Sequence, residues 1–183
     1  MRSVLISCLA AGLLLASQVA AQTPAGVTYI GTACSPINAS TQPNIAIHGS
    51  LSLGGTFSIS LQTRNYDYNH LTAFWDKHPY LLTGFSQVAV PIPTHLFPSQ
   101  PPGCVLLVDP VHIVAMQPDS DPQVYAYESF VVLTIPNNVN LIGMTFTSQW
   151  ATVYNALVPN QPPDVREVAW VVFSNAATMT IQP

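Results

Sequence analysis

Apolar and polar residues alternate along much of the chain after residue 26. In residues 56–62 the apolar side chains of Phe57, Ile59 and Leu61 take every second position. A period of two puts alternate side chains on opposite faces of a β-strand, so this segment predicts a strand with one buried face. Other segments are short, rich in β-branched or aromatic residues, and bounded by Gly, Pro, Asn or Asp. The predicted strands are Val27–Gly31, Ile45–His48, Thr56–Gln62, Leu71–Asp76, Gln87–Ile92, Cys104–Val108, Val111–Met116, Val124–Ile135, Met144–Trp150, Val168–Phe173 and Ala177–Ile181.

No segment of the chain carries a sustained helical period, and 17 prolines would interrupt one. A single helical turn fits near Asn137–Ile142. Strands without helices between them cannot form a parallel sheet, which needs crossover connections. The sequence therefore predicts an all-β domain, a single antiparallel β-sandwich of the immunoglobulin-like or jelly-roll-like kind.

The N-terminus has the pattern of a secretory signal peptide. Arg2 precedes an apolar run over Val4–Ala16, and Val19-Ala20-Ala21 supplies the small residues of a cleavage site. We expect cleavage after Ala21, then a flexible segment 22–26 and the β-sandwich over 27–183. A lipidation motif ending at Cys8 fits less well, because most of the apolar run follows that cysteine. The predicted location is secreted or periplasmic/extracellular, with no membrane span in the mature form.

Cleavage leaves two cysteines, Cys34 and Cys104. Two cysteines in an oxidising compartment most simply form one disulfide. The bridge would close a loop of about 70 residues and stabilise the fold by roughly 4 kcal/mol in the chain-entropy model.

Charged residues make up only 7% of the chain, and acidic residues outnumber basic ones by eight to four. Phosphate contacts require clustered Lys and Arg, so the composition argues against nucleic-acid binding. No segment predicts a cofactor. The Gly-x-Ser-x-Gly and His-Glu-x-x-His patterns are absent, and the five histidines are scattered, so no catalytic residue is predicted.

One stretch has the composition of a ligand-binding loop. Aromatic rings stack on the apolar faces of sugars while polar side chains bind hydroxyls, so the stretch predicts a carbohydrate site. The alternative is a tolerant loop whose aromatic residues are partly core. The candidate residues are Arg64, Tyr66, Asp67, Tyr68 and His70, with Trp75 and His78 beyond the next predicted strand.

Two sequences raise the question of a metal site. Asp119-Ser120-Asp121 offers paired carboxylates, which suit Ca²⁺, although a polar turn before Pro122 explains the same residues. His70 and His78 bracket a predicted strand, but Asp76-Lys77-His78 is more typical of a solvated turn. Asn38-Ala39-Ser40 matches a glycosylation acceptor, which matters only if the host glycosylates.

The C-terminal half carries a series of short motifs. In order they are Gly103-Cys104 with Leu106-Leu107-Val108-Asp109-Pro110, then Ile135-Pro136-Asn137, Leu141, Gly143, Phe146 and Gln149-Trp150, and finally Ser174-Asn175-Ala176. This series resembles a family of small, uncharacterised secreted bacterial β-sandwich modules. The resemblance implies a fold and an exported location but no activity. Gly31 and Cys34 are further apart than the glycine–cysteine pair of that family.

The roles of several of these positions follow from their residue types. Pro136 would end a strand, and Gly143 would allow a tight return into the next. Phe146 and Trp150 would face the core together, and the buried Trp150 N–H would need an acceptor. Asn175 fits a turn.

The leading hypothesis is an exported, non-catalytic module, either structural or binding an extracellular polymer such as a polysaccharide, or a cell-surface protein. One alternative is a small hydrolase with a dispersed Ser/His/Asp site that uses His70 or His78. Another is a subunit of an envelope assembly, which predicts an exposed apolar patch or an unpaired edge strand. The oligomeric state stays open.

Overall fold

The computed structural model describes residues 23–34, 42–63, 75–96, 101–116, 128–157 and 166–183, with the backbone alone for residues 63, 75–77, 128, 154–157 and 166–170. Within these ranges the chain forms ten strands and a 3-10 turn, Val139–Leu141, which confirms the turn predicted near Asn137–Ile142. None of the described residues forms a helix long and apolar enough to cross a membrane. The strands are β1 (Val27–Ile30), β2 (Pro43–Gly49), β3 (Thr56–Thr63), β4 (Trp75–Gly84), β5 (Ser86–Pro91), β6 (Val105–Asp109), β7 (His112–Ala115), β8 (Glu128–Thr134), β9 (Thr145–Leu157) and β10 (Arg166–Thr180).

The described strands form two packed antiparallel sheets and a hairpin. The larger sheet has the order β1-β10-β9-β4-β7, and the smaller has the order β2-β3-β8. Strands β5 and β6 pair with each other, and β6 contacts the larger sheet at β4, β9 and β10. The prediction of an all-β antiparallel sandwich is confirmed, with the hairpin as an additional layer.

The main core lies between the two sheets. The alternating residues of β3 bury Phe57, Ile59 and Leu61 as predicted, and Ile45 and Ile47 of β2 join them. The larger sheet contributes Leu81, Trp150, Ala177 and Met179. Phe146 packs against this cluster with its ring centroid 6.1 Å from that of Phe57, so the predicted core role of Phe146 and Trp150 is confirmed. The predicted hydrogen bond of Trp150 is wrong, because its Nε1 finds no acceptor in the described structure.

A second core lies on the opposite face of the larger sheet, under the β5–β6 hairpin. Its buried members are Cys34, Leu82, Cys104, Val108, Ala151, Val172 and Phe173. Strand β9 is therefore buried on both faces: Trp150 is turned toward the main core, while Gln149 and Ala151 lie beneath the hairpin. Gly84 fits here because a Cβ at this position would lie 1.9 Å from the carbonyl oxygen of Asp109.

Strand β4 is longer than predicted. The sequence predicts a strand ending at Asp76 and a solvated turn through His78, but both residues pair with β9 inside a ten-residue strand. Pro79 is tolerated in this strand because its carbonyl, which accepts from Met116 N–H at 2.9 Å, is directed toward β7 rather than β9. Proline has no N–H to donate, and at this position an N–H would face β7 just beyond the end of that strand. The hydrogen-bond ladder between β4 and β9 is therefore not interrupted.

Candidate functional site

Strands β3 and β8 meet at one end of the smaller sheet. Gln62, the residue before the last of β3, pairs with Glu128, the first residue of β8. Thr63 pairs on its other side with Pro43, the first residue of β2. The chain leaves β3 and enters β8 at adjacent points, since neighbouring strands lie about 4.8 Å apart.

In the larger sheet, one end of β4 and one end of β7 lie on the same side of the sandwich. Tyr80 pairs with Ala115, and Met116 N–H donates to Pro79 O beyond the end of β7. Strand β4 begins four residues before Pro79, at Trp75. The chain therefore enters β4 at the same end of the sheet where it leaves β7, about 13 Å further out along β4.

The two sheets present these ends in the same direction, because β2 runs parallel to β10 across the sandwich. Ile45 N–H donates to Asn175 Oδ1 at 3.0 Å, and further along Gln182 N–H donates to Leu51 O at 2.9 Å. Strand β10 begins nine residues before Asn175, whereas β2 begins only two before Ile45. The larger sheet thus extends past the smaller one. We call this end, where residues 63, 75, 116 and 128 lie, the loop end.

The loop end is where the predicted ligand-binding stretch attaches to the sandwich. Trp75 begins β4 opposite Ala156, and only its backbone is described. His78 is half-buried in β4, opposite Val153. The other predicted ligand residues, Arg64, Tyr66, Asp67, Tyr68 and His70, lie outside the described residues, as do the predicted metal ligands Asp119 and Asp121, the acceptor Asn38 and the leader 1–21.

Metal-ligating side chains are not grouped in the described ranges: no three His, Cys, Asp or Glu side chains come together there in a way that would hold an ion.

The predicted disulfide is confirmed, and hydrogen bonds connect it to β10. Cys34 and Cys104 are bonded, with their Cα atoms 5.1 Å apart. Cys34 N–H donates to Phe173 O at 2.9 Å, and Phe173 N–H donates to Cys34 Sγ at 3.2 Å. The bridge links the segment after β1 to the start of β6, and a disulfide of this kind fits a protein outside the reducing cytoplasm.

Gln149 joins the hairpin to the larger sheet with every polar atom of its side chain. Its Oε1 accepts from Leu107 N–H at 2.8 Å, and its Nε2 donates to Val105 O at 3.0 Å and to Ser174 O at 2.8 Å. The side chain is fully buried. Because Val105 and Leu107 are alternate residues of β6, the Gln149 amide takes the place of a neighbouring strand along that edge.

Ser174 and Asn175 form a β-bulge where the sequence predicts a turn. The register with β9 shifts between Phe173 and Ala176, so the two strands predicted on either side of these residues are one continuous β10. Ser174 Oγ accepts from Trp150 N–H at 2.9 Å. The side chain of Asn175 accepts from Ile45 N–H in the opposite sheet. The two bulge residues therefore accept hydrogen bonds from backbone N–H groups of both sheets.

Tyr29 of β1 makes a second bond of this kind, since its hydroxyl accepts from Ile47 N–H at 3.2 Å. With Asn175 it occupies the outward N–H groups of two alternate residues of β2. The sequence gives no signal for the role of Tyr29 or of Gln149, because both stand at ordinary positions of alternating strands.

No protein-family model matches the chain, and neither does any curated protein or solved structure. The resemblance to exported β-sandwich modules therefore stays a prediction.

Proposed function

We propose that this chain is an exported, non-catalytic module that binds an extracellular polysaccharide or protein through its loop end. The main support is the shared attachment of two segments, one that carries the predicted carbohydrate-binding residues and one that carries the candidate Ca²⁺ ligands Asp119 and Asp121. One leaves at Thr63 and returns at Trp75; the other leaves at Met116 and returns at Glu128. Gln62 pairs with Glu128, and Met116 N–H donates to Pro79 O four residues inside β4, so both segments leave and rejoin the sandwich at this end.

A rigid support suits this role. Binding residues are commonly carried by loops on a scaffold that fixes where each loop begins and ends. Here the disulfide, Gln149 and the bulge of β10 cross-link the hairpin and both sheets. Export is part of the proposal: the leader supports it through its sequence, and the disulfide supports it through its chemistry.

A carbohydrate polymer is the ligand class that the candidate residues favour. Tyr66, Tyr68 and Trp75 offer rings for stacking on sugars, and the nearby Arg64, Asp67, His70 and His78 offer donors and acceptors for hydroxyls. Asp119 and Asp121 on the second segment add carboxylates that can bind Ca²⁺.

The test uses purified residues 22–183 and their retention on insoluble cellulose, chitin and xylan. Replacing Tyr66, Tyr68 and Trp75 together with Ala is expected to weaken retention at least about tenfold, because stacked aromatic residues dominate such interfaces. Phe85→Ala is the matched control: Phe85 is 63% exposed and follows the opposite end of β4, so retention should not change. Repeating the assay with EDTA tests a contribution of Ca²⁺ through the two aspartates.

Failure of the parent protein to be retained on any of the three polymers would contradict the carbohydrate proposal. So would equal retention of the parent and the folded triple variant, which would move the contact away from the loop end.

A further inference from the structure

Strand β8 forms an apolar edge of the smaller sheet. Phe130 is 60% exposed, Val132 is 56% exposed and Leu133 is 39% exposed. Phe130 and Val132 lie on the outer face of the sheet, next to Ser60 and Ser58 of β3. Between Ser129 and Thr134 the strand has no charged residue and no proline. Charges and prolines are the features that usually prevent an edge from pairing with another chain.

The backbone of β8 has hydrogen-bonding groups directed away from β3. Ile135 N–H donates to Gly55 O at 2.9 Å and Ile135 O accepts from Gly54 N–H at 3.0 Å, so both backbone groups of Ile135 are directed toward the β3 side. These directions alternate along a strand. The N–H and C=O groups of Phe130 and Val132 are therefore directed outward, and no described strand pairs with that side of β8.

The opposite edge of the same sheet is closed. Two outward N–H groups of β2, those of Ile45 and Ile47, are taken by the side chains of Asn175 and Tyr29. Within the described part of the chain, side chains from the larger sheet protect one edge of the smaller sheet and leave the other available.

We propose that β8 pairs antiparallel with β8 of a second copy of this chain, about a two-fold axis at Val131. Full overlap of the seven residues pairs Phe130 with Val132 of the second copy and Glu128 with Thr134. Because the strand has an odd number of residues, this register places each outward-directed residue opposite an outward-directed residue of the second copy. Their N–H and C=O groups can then bond each other, as a ladder requires. A two-fold interface is the commonest form of association between identical chains.

The same register also accounts for the exposed side chains. On the outer face, Phe130 of each copy lies against Val132 of the other. On the inner face, Val131 lies opposite Val131 and Leu133 opposite Ser129. Aromatic and β-branched cross-strand pairs are favourable. A second copy is the occupant that the strand fits, because β8 is complementary to itself in both hydrogen bonds and apolar side chains. This surface runs along the β8 edge, whereas the proposed carbohydrate contact lies at the loop end, and the two meet only at Glu128.

The test measures the mass of residues 22–183 by sedimentation equilibrium over a range of concentrations. A single strand pair buries less than a typical stable interface, so we expect a monomer–dimer equilibrium with a Kd between about 10 µM and 1 mM. Val132→Pro should shift the protein to monomer, because it removes an outward N–H that β3 does not use. Val132→Lys keeps the backbone and should weaken association at least about tenfold. Val139→Lys, at a 70% exposed valine in the 3-10 turn, should leave the equilibrium unchanged.

Three results would overturn the proposal. The parent could stay monomeric to about 1 mM, it could form open-ended aggregates instead of a dimer, or the dimer could persist in both Val132 variants. Circular dichroism establishes whether each variant is folded. If Val132→Pro is unfolded, the association of Val132→Lys alone tests the proposal.

Discussion

Replacing Gln149 with alanine should lower the free energy of unfolding by about 3 to 5 kcal/mol, because each buried group left without a partner costs about 1 to 3 kcal/mol. The substitution removes the partners of Leu107 N–H, Val105 O and Ser174 O at once, in a site with no exposure of the parent side chain. It also leaves a cavity beneath the hairpin, which adds to the cost. Urea denaturation of residues 22–183 measures the change.

Gln87→Ala is the matched control for this prediction. Gln87 is exposed and makes one side-chain hydrogen bond, from its Nε2 to Thr178 Oγ1 at 2.9 Å. Its removal should cost no more than about 1 kcal/mol. If Gln149→Ala and Gln87→Ala lowered stability equally, the Gln149 amide would not be holding β6.

Replacing Cys34 and Cys104 together with alanine should destabilise the protein by about 4 kcal/mol. The disulfide closes a long loop, and without it the unfolded chain gains conformational entropy. The two cysteines are 70 residues apart. Both are buried in the second core, so the double alanine variant avoids placing polar serine hydroxyls there. The free energy of unfolding of the double variant is compared with that of the parent in denaturant.

The parent protein supplies its own control for the disulfide. Adding a reductant should lower the stability of the parent toward that of the double alanine variant and should leave the variant unchanged. Equal stability of the oxidised parent and the variant would contradict a stabilising role for the bridge.

The features that the sequence predicts well are local or follow from simple chemistry. The alternation around Ile59 identifies β3 and its buried face, and Pro136 and Gly143 mark the end of β8 and the return into β9. The Cys34–Cys104 disulfide follows from counting the cysteines outside the predicted leader. Each of these inferences needs only neighbouring residues or the predicted export signal.

The features that the sequence does not reveal depend on what lies across the sheet. Ser174 and Asn175 have the composition of a turn, yet they form a bulge because Trp150 and Ile45 present N–H groups to their side chains. Gln149 alternates like any polar strand residue, and only the hairpin above it makes its face an interior one. Asp76-Lys77-His78 has the composition of a solvated turn, yet it lies inside β4, and the early end of β7 makes room for the proline that follows.

At the loop end, too, the sequence identifies individual residues but does not reveal how the fold brings them together. The sequence singled out Trp75 and His78 by their chemistry, and the structure places both in β4. That these two segments leave and rejoin the sandwich at one end could not be read from the sequence, because it depends on the pairing of Gln62 with Glu128 and on the bond between Met116 and Pro79.

Native-state hydrogen exchange tests most directly the claim that side chains of the larger sheet replace strand partners and hold the sandwich together. The amides of Leu107, Trp150 and Ile45 donate to Gln149, Ser174 and Asn175. They should exchange within about tenfold of the amide of Ile59, in the centre of β3, because all would open only with the whole fold. Exchange of the Leu107 amide as fast as that of Val139 in the exposed turn, with Ile59 still protected, would contradict the account.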